Sequence, residues 1–530
     1  MTRRFLSLWF ARLPTDRARA RRAAEGGPGE KAAPLVAIAK IKGAQRLVCV
    51  DRLAASLGLA PGLSLGDARA RHLNLVAVEA APEEEARLLG RLADWCSRFT
   101  PLVALDGADG LMLDISGVAH LFGGETQMTD EIATRLAAQG FEVALGVADA
   151  PRAAWALARF SDRRIAPTNL AERPFAKIFH DLPLAALGLD EKTVADLARA
   201  GLRRIGDVAL RPRAPIAARF GAEVMNRLDA LCGRERGAIS PRFAAPDFSA
   251  ERRFASPICR REDVEGTIAR LARDLAVLLE RQAKGARRLE ARLFRVDGAV
   301  RRIAVGASRP LNDPARIARL FRERLDAPGE DEFDPGYGVD VVRLSCLVAE
   351  PLAPAQGTLE QTGSGEPERH LADLVDQLSA RLGARRVTRL ELVDAHIPEF
   401  SVAALPASRG RAAPTRQSRL ALSLQQGEPA AGAPSPTRPI RLFERPEPIE
   451  AIAEIPDGPP LRFKWRRVMH EIAVIEGPER IAAEWWRNDA LTRDYFHAED
   501  TAGRRFWLYR EGLYGRETAR AKWFLHGLFA

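Results

Sequence analysis

Two kinds of side chain in this sequence could do chemistry: a few carboxylates beside apolar runs, and a large number of guanidinium groups. Asp106, Asp109 and Asp114 surround the strand-like run Leu111–Ile115. Carboxylate oxygens in such places are what hard divalent cations demand, and paired cations are a common device for phosphoryl and nucleotidyl transfer. The opening apolar run, Phe5–Phe10, carries no acid, and Asp16 lies beyond Pro14 and outside any strand reading. A single aspartate cannot hold two metals in the geometry that chemistry requires. The cysteines (Cys49, Cys96, Cys232, Cys259, Cys346) are far apart, odd in number and without a C-x-x-C. That argues against disulfide frameworks and zinc sites and fits a reducing cytoplasm.

The formal net charge of +10 favours a polyanionic partner, and only eight lysines contribute to it. Arginine forks suit phosphate oxygens, although an Arg- and Ala-rich chain also follows from a GC-rich genome, so both readings stand. Two stretches concentrate the signal. Gly188, before the helix Lys192–Ala200, and Gly201, in the turn that carries Arg203 and Arg204, give the pattern of a helix-hairpin-helix unit. Its glycines let backbone N–H groups approach DNA phosphates; an ordinary pair of helices with a glycine cap satisfies the same pattern. Lys284, Arg287, Arg288, Arg292, Arg301 and Arg302 stud an alternating hairpin that turns at Asp297-Gly298. They read either as a phosphate-tracking surface or as a solvated basic face.

The elements that must position these groups follow from periodicity. A chain of 530 residues splits into several domains, and no apolar run is long enough to span a membrane. The start superficially resembles a signal peptide, but Phe5–Phe10 is too short and reads as a buried first strand. Residues 5–165 alternate strand-like runs with helical patterns such as Leu88, Leu92, Trp95 and Phe99, and Arg17–Pro34 reads as a flexible insertion. Residues 250–350 read as strand, helix, strand, strand, helix, strand, and Leu371–Leu382 as a further amphipathic helix. Residues 403–440 lack periodicity and read as a disordered linker. The last ninety residues hold five of the eight tryptophans and read as a small β-rich domain. The fold class expected is α+β and multidomain.

Three stretches carry a family resemblance. Leu113–Gly117 with Leu121–Gly124, Leu57–Leu63, and Leu202–Val208 resemble, in order and spacing, the palm, fingers and thumb motifs of the Y-family translesion DNA polymerases. The resemblance implies palm and fingers over residues 1–165 (fingers about 31–78), a helix-hairpin-helix thumb over 166–240 and a little finger over 241–350. Residues 351–402 are then a connecting helix and strand, followed by the linker and a C-terminal domain at 441–530. The family holds its two metals with an Asp-x-Asp on the first strand and an Asp-Glu pair on a neighbouring hairpin. Those positions fall on Trp9, Ala11, Asp109 and Gly110, so one acid in four remains. Arg52 and Ala55 stand where the family has a Tyr and an Arg that hold the triphosphate. The resemblance therefore implies a polymerase body without catalysis, nucleotide binding, metal or cofactor. The alternative is a divergent active polymerase using Mg2+ on Asp109 with Asp106 or Asp114.

Ile455–Pro460, Gly477–Ile481, Trp485-Trp486, Arg493–Phe496 and Arg504–Gly512 resemble the tail of ImuB proteins, described as inactive Y-family homologues of a bacterial mutagenesis cassette. That likeness implies a cytoplasmic, nucleoid-associated factor of SOS mutagenesis. Its partners would be primer-template DNA, the β sliding clamp, a RecA-like protein (ImuA) and a DnaE-type error-prone polymerase, with no membrane partner. Two segments resemble clamp-binding peptides: Gln356 to Leu359 in a loop, and Gln377-Leu378 within a helical pattern. From the residues alone, interleaved Arg and aromatics at Arg462–Arg466 and Arg504–Tyr509 suit an OB-like barrel that stacks bases. The same aromatics also suit a small core, leaving Trp507, Tyr509, Trp523 and Phe524 as candidate protein-binding anchors.

Overall fold

The structure, a computed structural model, describes residues 3–24, 33–170, 177–235, 237–327, 336–352, 366–393, 395–408, 438–453, 458–484, 486 and 491–529. It forms two compact units, one from residues 1–305, 310–325 and 329–354, the other mainly from residues 355–530.

The first unit opens with β1 (Phe5–Trp9), α1 (Leu13–Ala24), β2 (Leu35–Ile41), β3 (Ala44–Val50), α2 (Arg52–Ser56), α3 (Leu65–Arg71), β4 (Val76–Glu79) and α4 (Pro82–Cys96). It continues through β5 (Val103–Asp106), β6 (Gly110–Asp114), α5 (Glu125–Ala138), β7 (Ala144–Ala148) and α6 (Pro151–Phe160). Strands β5-β6-β1-β7 form one sheet, where the resemblance expects a palm. β1 is central, and Phe5, Leu6 and Leu8 are buried, which is why its sequence reads as a nearly continuous apolar run. Leu88, Leu89, Leu92 and Trp95 of α4, with Met128 and Ile132 of α5, cover one face of the sheet. The other face meets α6, which is rich in small alanines.

Strands β3-β2-β4 make a separate small sheet at the fingers position, with its own core. The segment expected to be a flexible insertion instead starts as helix: α1 runs to Ala24, because Ala and Arg are strong helix formers and Pro14 sits harmlessly in the first turn. The rest of that expected insertion, up to residue 32, lies outside the described residues.

A helical block follows: α7 (Lys177–His180), α8 (Glu191–Arg199), α9 (Ile205–Ala209), α10 (Arg213–Phe220) and α11 (Ala222–Leu231). The unit ends with β8 (Phe248–Ile258), α12 (Arg261–Arg281), β9 (Lys284–Arg295), β10 (Val300–Leu311), α13 (Pro314–Leu325) and β11 (Val339–Pro351). The sheet order is β10-β9-β11-β8, and α12 buries Val264, Ile268, Leu271 and Leu275 on one stripe.

The second unit contains α14 (Glu366–Leu382), a hairpin of β12 (Thr388–Leu392) and β13 (Val402–Pro406), and a closed barrel. The barrel strands are β14 (Arg441–Ala453), β15 (Pro460–Trp465), β16 (Val468–Ile481), β17 (Arg493–Asp500), β18 (Arg505–Glu511) and β19 (Lys522–Leu528). Each pairs antiparallel with its neighbour in sequence, and β19 returns to pair with β14. This sequential order differs from the five-stranded Greek key of an OB fold. Most of the expected linker lies outside the described residues.

Candidate functional site

The palm sheet brings the sequence-predicted positions together through strand register. Trp9 lies directly opposite Gly110, and Asp106 pairs with Gly110 from the other side. The Asp109 carbonyl accepts the Phe10 N–H at 2.8 Å. Ala11 lies in the exposed turn just past β1. The Trp9 indole Nε1–H donates to Asp109 Oδ2 at 2.8 Å, so the first-strand tryptophan is tied to the one acid retained.

The group that completes this arrangement is Arg159, which sequence reasoning missed. α6 begins at Pro151 and places Trp155 and Arg159 four residues apart on one face. The Arg159 guanidinium lies 4.6 Å from the Trp155 ring and 5.5 Å from the Trp9 ring. Its Nη2 donates to Asp109 Oδ1 at 3.4 Å, and its Nη1 lies 3.6 Å from Asp106 Oδ2. Arg152 stacks on the opposite end of Trp155, 4.7 Å from the ring. Two arginines, two indoles and two aspartates thus form one packed cluster. Burial pushes the Asp106 carboxyl above its ordinary value even though Arg159 pulls it down.

Gly110 is required by this packing. A Cβ there would lie 2.6 Å from the Asp106 carbonyl and 2.8 Å from Arg159 Nη2. The residues present do not fit a pair of divalent cations: a fixed cation faces the two aspartates, and Asp114 Oδ1 accepts from the Ser116 N–H at 2.9 Å. Asp16 is buried on α1 and accepts from the Glu142 N–H at 3.1 Å; burial pushes its carboxyl up to about 6. At the fingers position, Arg52 and Ala55 are exposed on α2, whose N-cap Asp51 accepts from the Ala54 N–H.

The candidate DNA contacts divide by location. Gly188 and Gly201 both have left-handed backbones (φ +69° and +80°), as helix-hairpin-helix turns require. Gly201 faces open space, whereas the Arg152 guanidinium approaches Gly188. Arg203 is exposed; the N–H groups of Arg203 and Arg204 donate to Asp207, and the Arg204 side chain pairs with Asp181.

The hairpin arginines do not share one face. β-strand alternation sends successive residues to opposite sides, and part of the set is consumed against the palm. Arg302 pairs with Asp94 at 3.0 Å and Arg292 reaches Ser97 Oγ at 3.4 Å. Beside them Arg343 donates to the Ser97 carbonyl at 2.6 Å, and Arg253 to the Arg98 carbonyl at 2.9 Å. Arg98, 1% exposed, extends the other way to Asp340 at 2.5 Å, with Arg135 on the same oxygen at 2.6 Å. Arg287 pairs with Glu350, Lys284 lies over the Phe248 ring, Arg301 is half-buried, and Arg288 is exposed.

In the second unit, Gln377 and Leu378 sit within α14, and Gln356 and Leu359 fall outside the described residues. Trp507 and Tyr509 are core, not surface. Trp507 is fully buried, 4.2 Å from the Tyr495 ring and 5.4 Å from the His526 ring. Tyr509 stacks on Phe524 at 5.1 Å. Tyr495 Oη hydrogen-bonds His526 Nδ1 at 2.8 Å, and burial pushes His526 down to about 4. Alternation in β18 sends Phe506 and Leu508 into the barrel core with Phe463 and Leu525, and puts Trp507 and Tyr509 on the other face, where they are buried in a second cluster with Ile481 and Tyr495. Trp523 and Phe524 are partly buried beside a groove on the barrel wall.

Comparison with known proteins accords with this architecture. Residues 30–159 match the impB/mucB/samB family model, and residues 246–359 match the model of that family's C-terminal domain. Fold and sequence together define a homologue of the Y-family polymerases. The chain belongs to the ImuB family: it is 40% identical over 487 residues to Protein ImuB of Caulobacter vibrioides (strain NA1000 / CB15N), covering 89% of this chain and 100% of that protein. The figures are the same for Protein ImuB of strain ATCC 19089 / CIP 103742 / CB 15. DNA polymerase IV of the latter strain is 26% identical over 263 residues, 46% of this chain and 60% of that protein. Among solved structures, DinB from Sulfolobus solfataricus aligns with a TM-score of 0.38 at 12% identity, covering 65% of this chain and 99% of that one. A post-insertion binary complex of Dbh DNA polymerase aligns with a TM-score of 0.37 at 13% identity, covering 65% and 98%.

Proposed function

We propose that this chain is a non-catalytic accessory factor of error-prone translesion DNA synthesis. Its polymerase-like body holds primer-template DNA without sequence preference, and its C-terminal region bridges a sliding clamp, a RecA-like protein of the ImuA type and a DnaE-type polymerase. The observation that carries the loss of catalysis is Arg159, whose guanidinium faces Asp106 and Asp109 where cations would have to bind. A fixed positive charge repels a divalent cation and supplies no ligand oxygen. Trp9 also donates to Asp109 Oδ2, and Gly110 leaves no room for the missing acid's side chain.

The deciding assay is primer extension by the purified chain. No extension is expected at any Mg2+ or Mn2+ concentration, and robust extension abolished by Asp109→Ala would overturn the reading. DNA binding is expected to fall steeply with salt. For bridging, a chain truncated near residue 440 should keep DNA binding and lose its protein partners; retention of all partners would sink the bridging role. Of the two clamp candidates, Gln377 and Leu378 are fixed inside a helix, whereas a clamp peptide is extended, which favours Gln356 and Leu359.

A further inference from the structure

The wall of the barrel carries a groove of about 450 Å3 that the proposed role in bridging proteins leaves unused. β14 and β15 form one side, β19 the other, with Met469 of β16 at the edge. Alternation in β15 drives Phe463 into the core and turns Arg462 and Lys464 outward. Arg520 and Lys522 rise from the opposite side, and Phe524, paired in register with Pro448, shares the Lys522 face of β19.

The charge here is uncommitted. Among the described residues, the side chains of Arg462, Arg520 and Lys522 form no ion pair, and Lys464 meets only Glu450, at 3.6 Å across an 83% exposed carboxylate. Glu471, opposite Arg462 across the strands, makes no ion pair with it. Between these cations the same outward face carries Pro448, Ile452, Met469 and the Phe524 ring. A row of cations flanking an apolar face with an aromatic ring suits a ligand that alternates anions with flat apolar rings. Single-stranded nucleic acid has that form, since each phosphate is followed by an unpaired base with an open face. Duplex DNA hides its base faces, and an acidic peptide brings charge without rings.

We propose that this groove is a binding site for single-stranded nucleic acid, separate from the polymerase-like body. It goes beyond the accessory-factor reading and does not depend on whether the palm is inactive. The test uses the full chain, a fluorescein-labelled oligo(dT) and a blunt-ended hairpin duplex, each followed by anisotropy over a salt series. R462E/R520E/K522E is expected to bind oligo(dT) at least about tenfold more weakly, and its salt slope should fall by about 2, the effect of three lost phosphate contacts on a single strand. Duplex affinity should stay within about threefold, because the body is untouched. Phe524→Leu should weaken oligo(dT) by about fivefold with the slope retained, as loss of one stacking platform predicts. If the reversed side chains disturb the circular dichroism spectrum, R462Q/R520Q/K522Q carries the same test. Unchanged oligo(dT) affinity in a folded variant would overturn the proposal. So would a parallel loss of duplex binding, or displacement of oligo(dT) by polyglutamate at equal charge.

Discussion

The arginines of the polymerase-like unit and the cations of the barrel groove have the same chemistry but different occupations. Arg98, Arg135, Arg159, Arg292, Arg302 and Arg343 are held by carboxylates, hydroxyls or carbonyls of the same unit. Arg462, Arg520 and Lys522 have no such partner among the described residues. A high arginine content is therefore not one signal. In the first region it ties strands and helices to one another and neutralises Asp106 and Asp109; in the second it is left for solvent or a ligand.

Truncation experiments should make that contrast quantitative. Arg98→Ala leaves the Asp340 carboxylate with Arg135 and strips a buried guanidinium packed on Trp95, Phe99 and Phe294, and should lower stability by about 3–5 kcal/mol, seen as a fall in the urea midpoint. A change near zero would break the comparison at its strongest point. Next in size is the acid response of the barrel. His526 is held near 4 in the folded chain against 6.5 when free, so the unfolded imidazole takes up a proton first. Stability should be full above about pH 6.5 and decline to about pH 4, by roughly 3 kcal/mol in all. Below that both states are protonated and the decline stops. Trp507 fluorescence should report the loss, and His526→Gln should flatten the profile.

A smaller gain is expected in the palm. Asp16 is raised from 3.8 to about 6, so its stabilising protonated form is present below about pH 4 and lost as pH rises through 6. Asp16→Asn should then stabilise the chain at pH 7 by about 1–3 kcal/mol, with no gain below pH 4. Smallest of all, Arg462→Ala in the groove should shift stability by less than about 0.5 kcal/mol, as for a surface side chain without partners. A cost approaching that of Arg98→Ala would show that the groove is structural after all.

The alternation of strands and helices in the first unit is readable because apolar periodicity survives there, as in the Val264, Ile268, Leu271 and Leu275 stripe of α12. The resemblance places Trp9 and Gly110 on neighbouring segments, but their register is a property of the folded sheet. Arg159 was not readable. It lies 50 residues from Asp109 in sequence, and its role depends on helix α6 crossing the end of β1, a tertiary fact with no local pattern. Two local oddities could have pointed to it: an indole in a strand position that expects an acid, and a glycine beside it. The α1 segment departs from expectation because arginine-rich stretches with flanking glycines resemble linkers, while the helix propensity of Ala and Arg favours the helix seen. In the barrel, alternation identifies strands but not which face is covered, so the sequence leaves Trp507 and Tyr509 open between core and protein-binding anchors.

The pairing of β19 with β14 joins Arg441 to Leu528 across the whole span of the domain. Such closure gives the barrel a high contact order, so no earlier subset of its strands is complete. During synthesis β14 must wait, its edge unpaired, until β19 has cleared the ribosome. The exposed edges of β14 and β18 are the ones a neighbouring chain would capture, which makes rapid emergence of the last strand a condition for keeping this protein from exchanging strands with its copies.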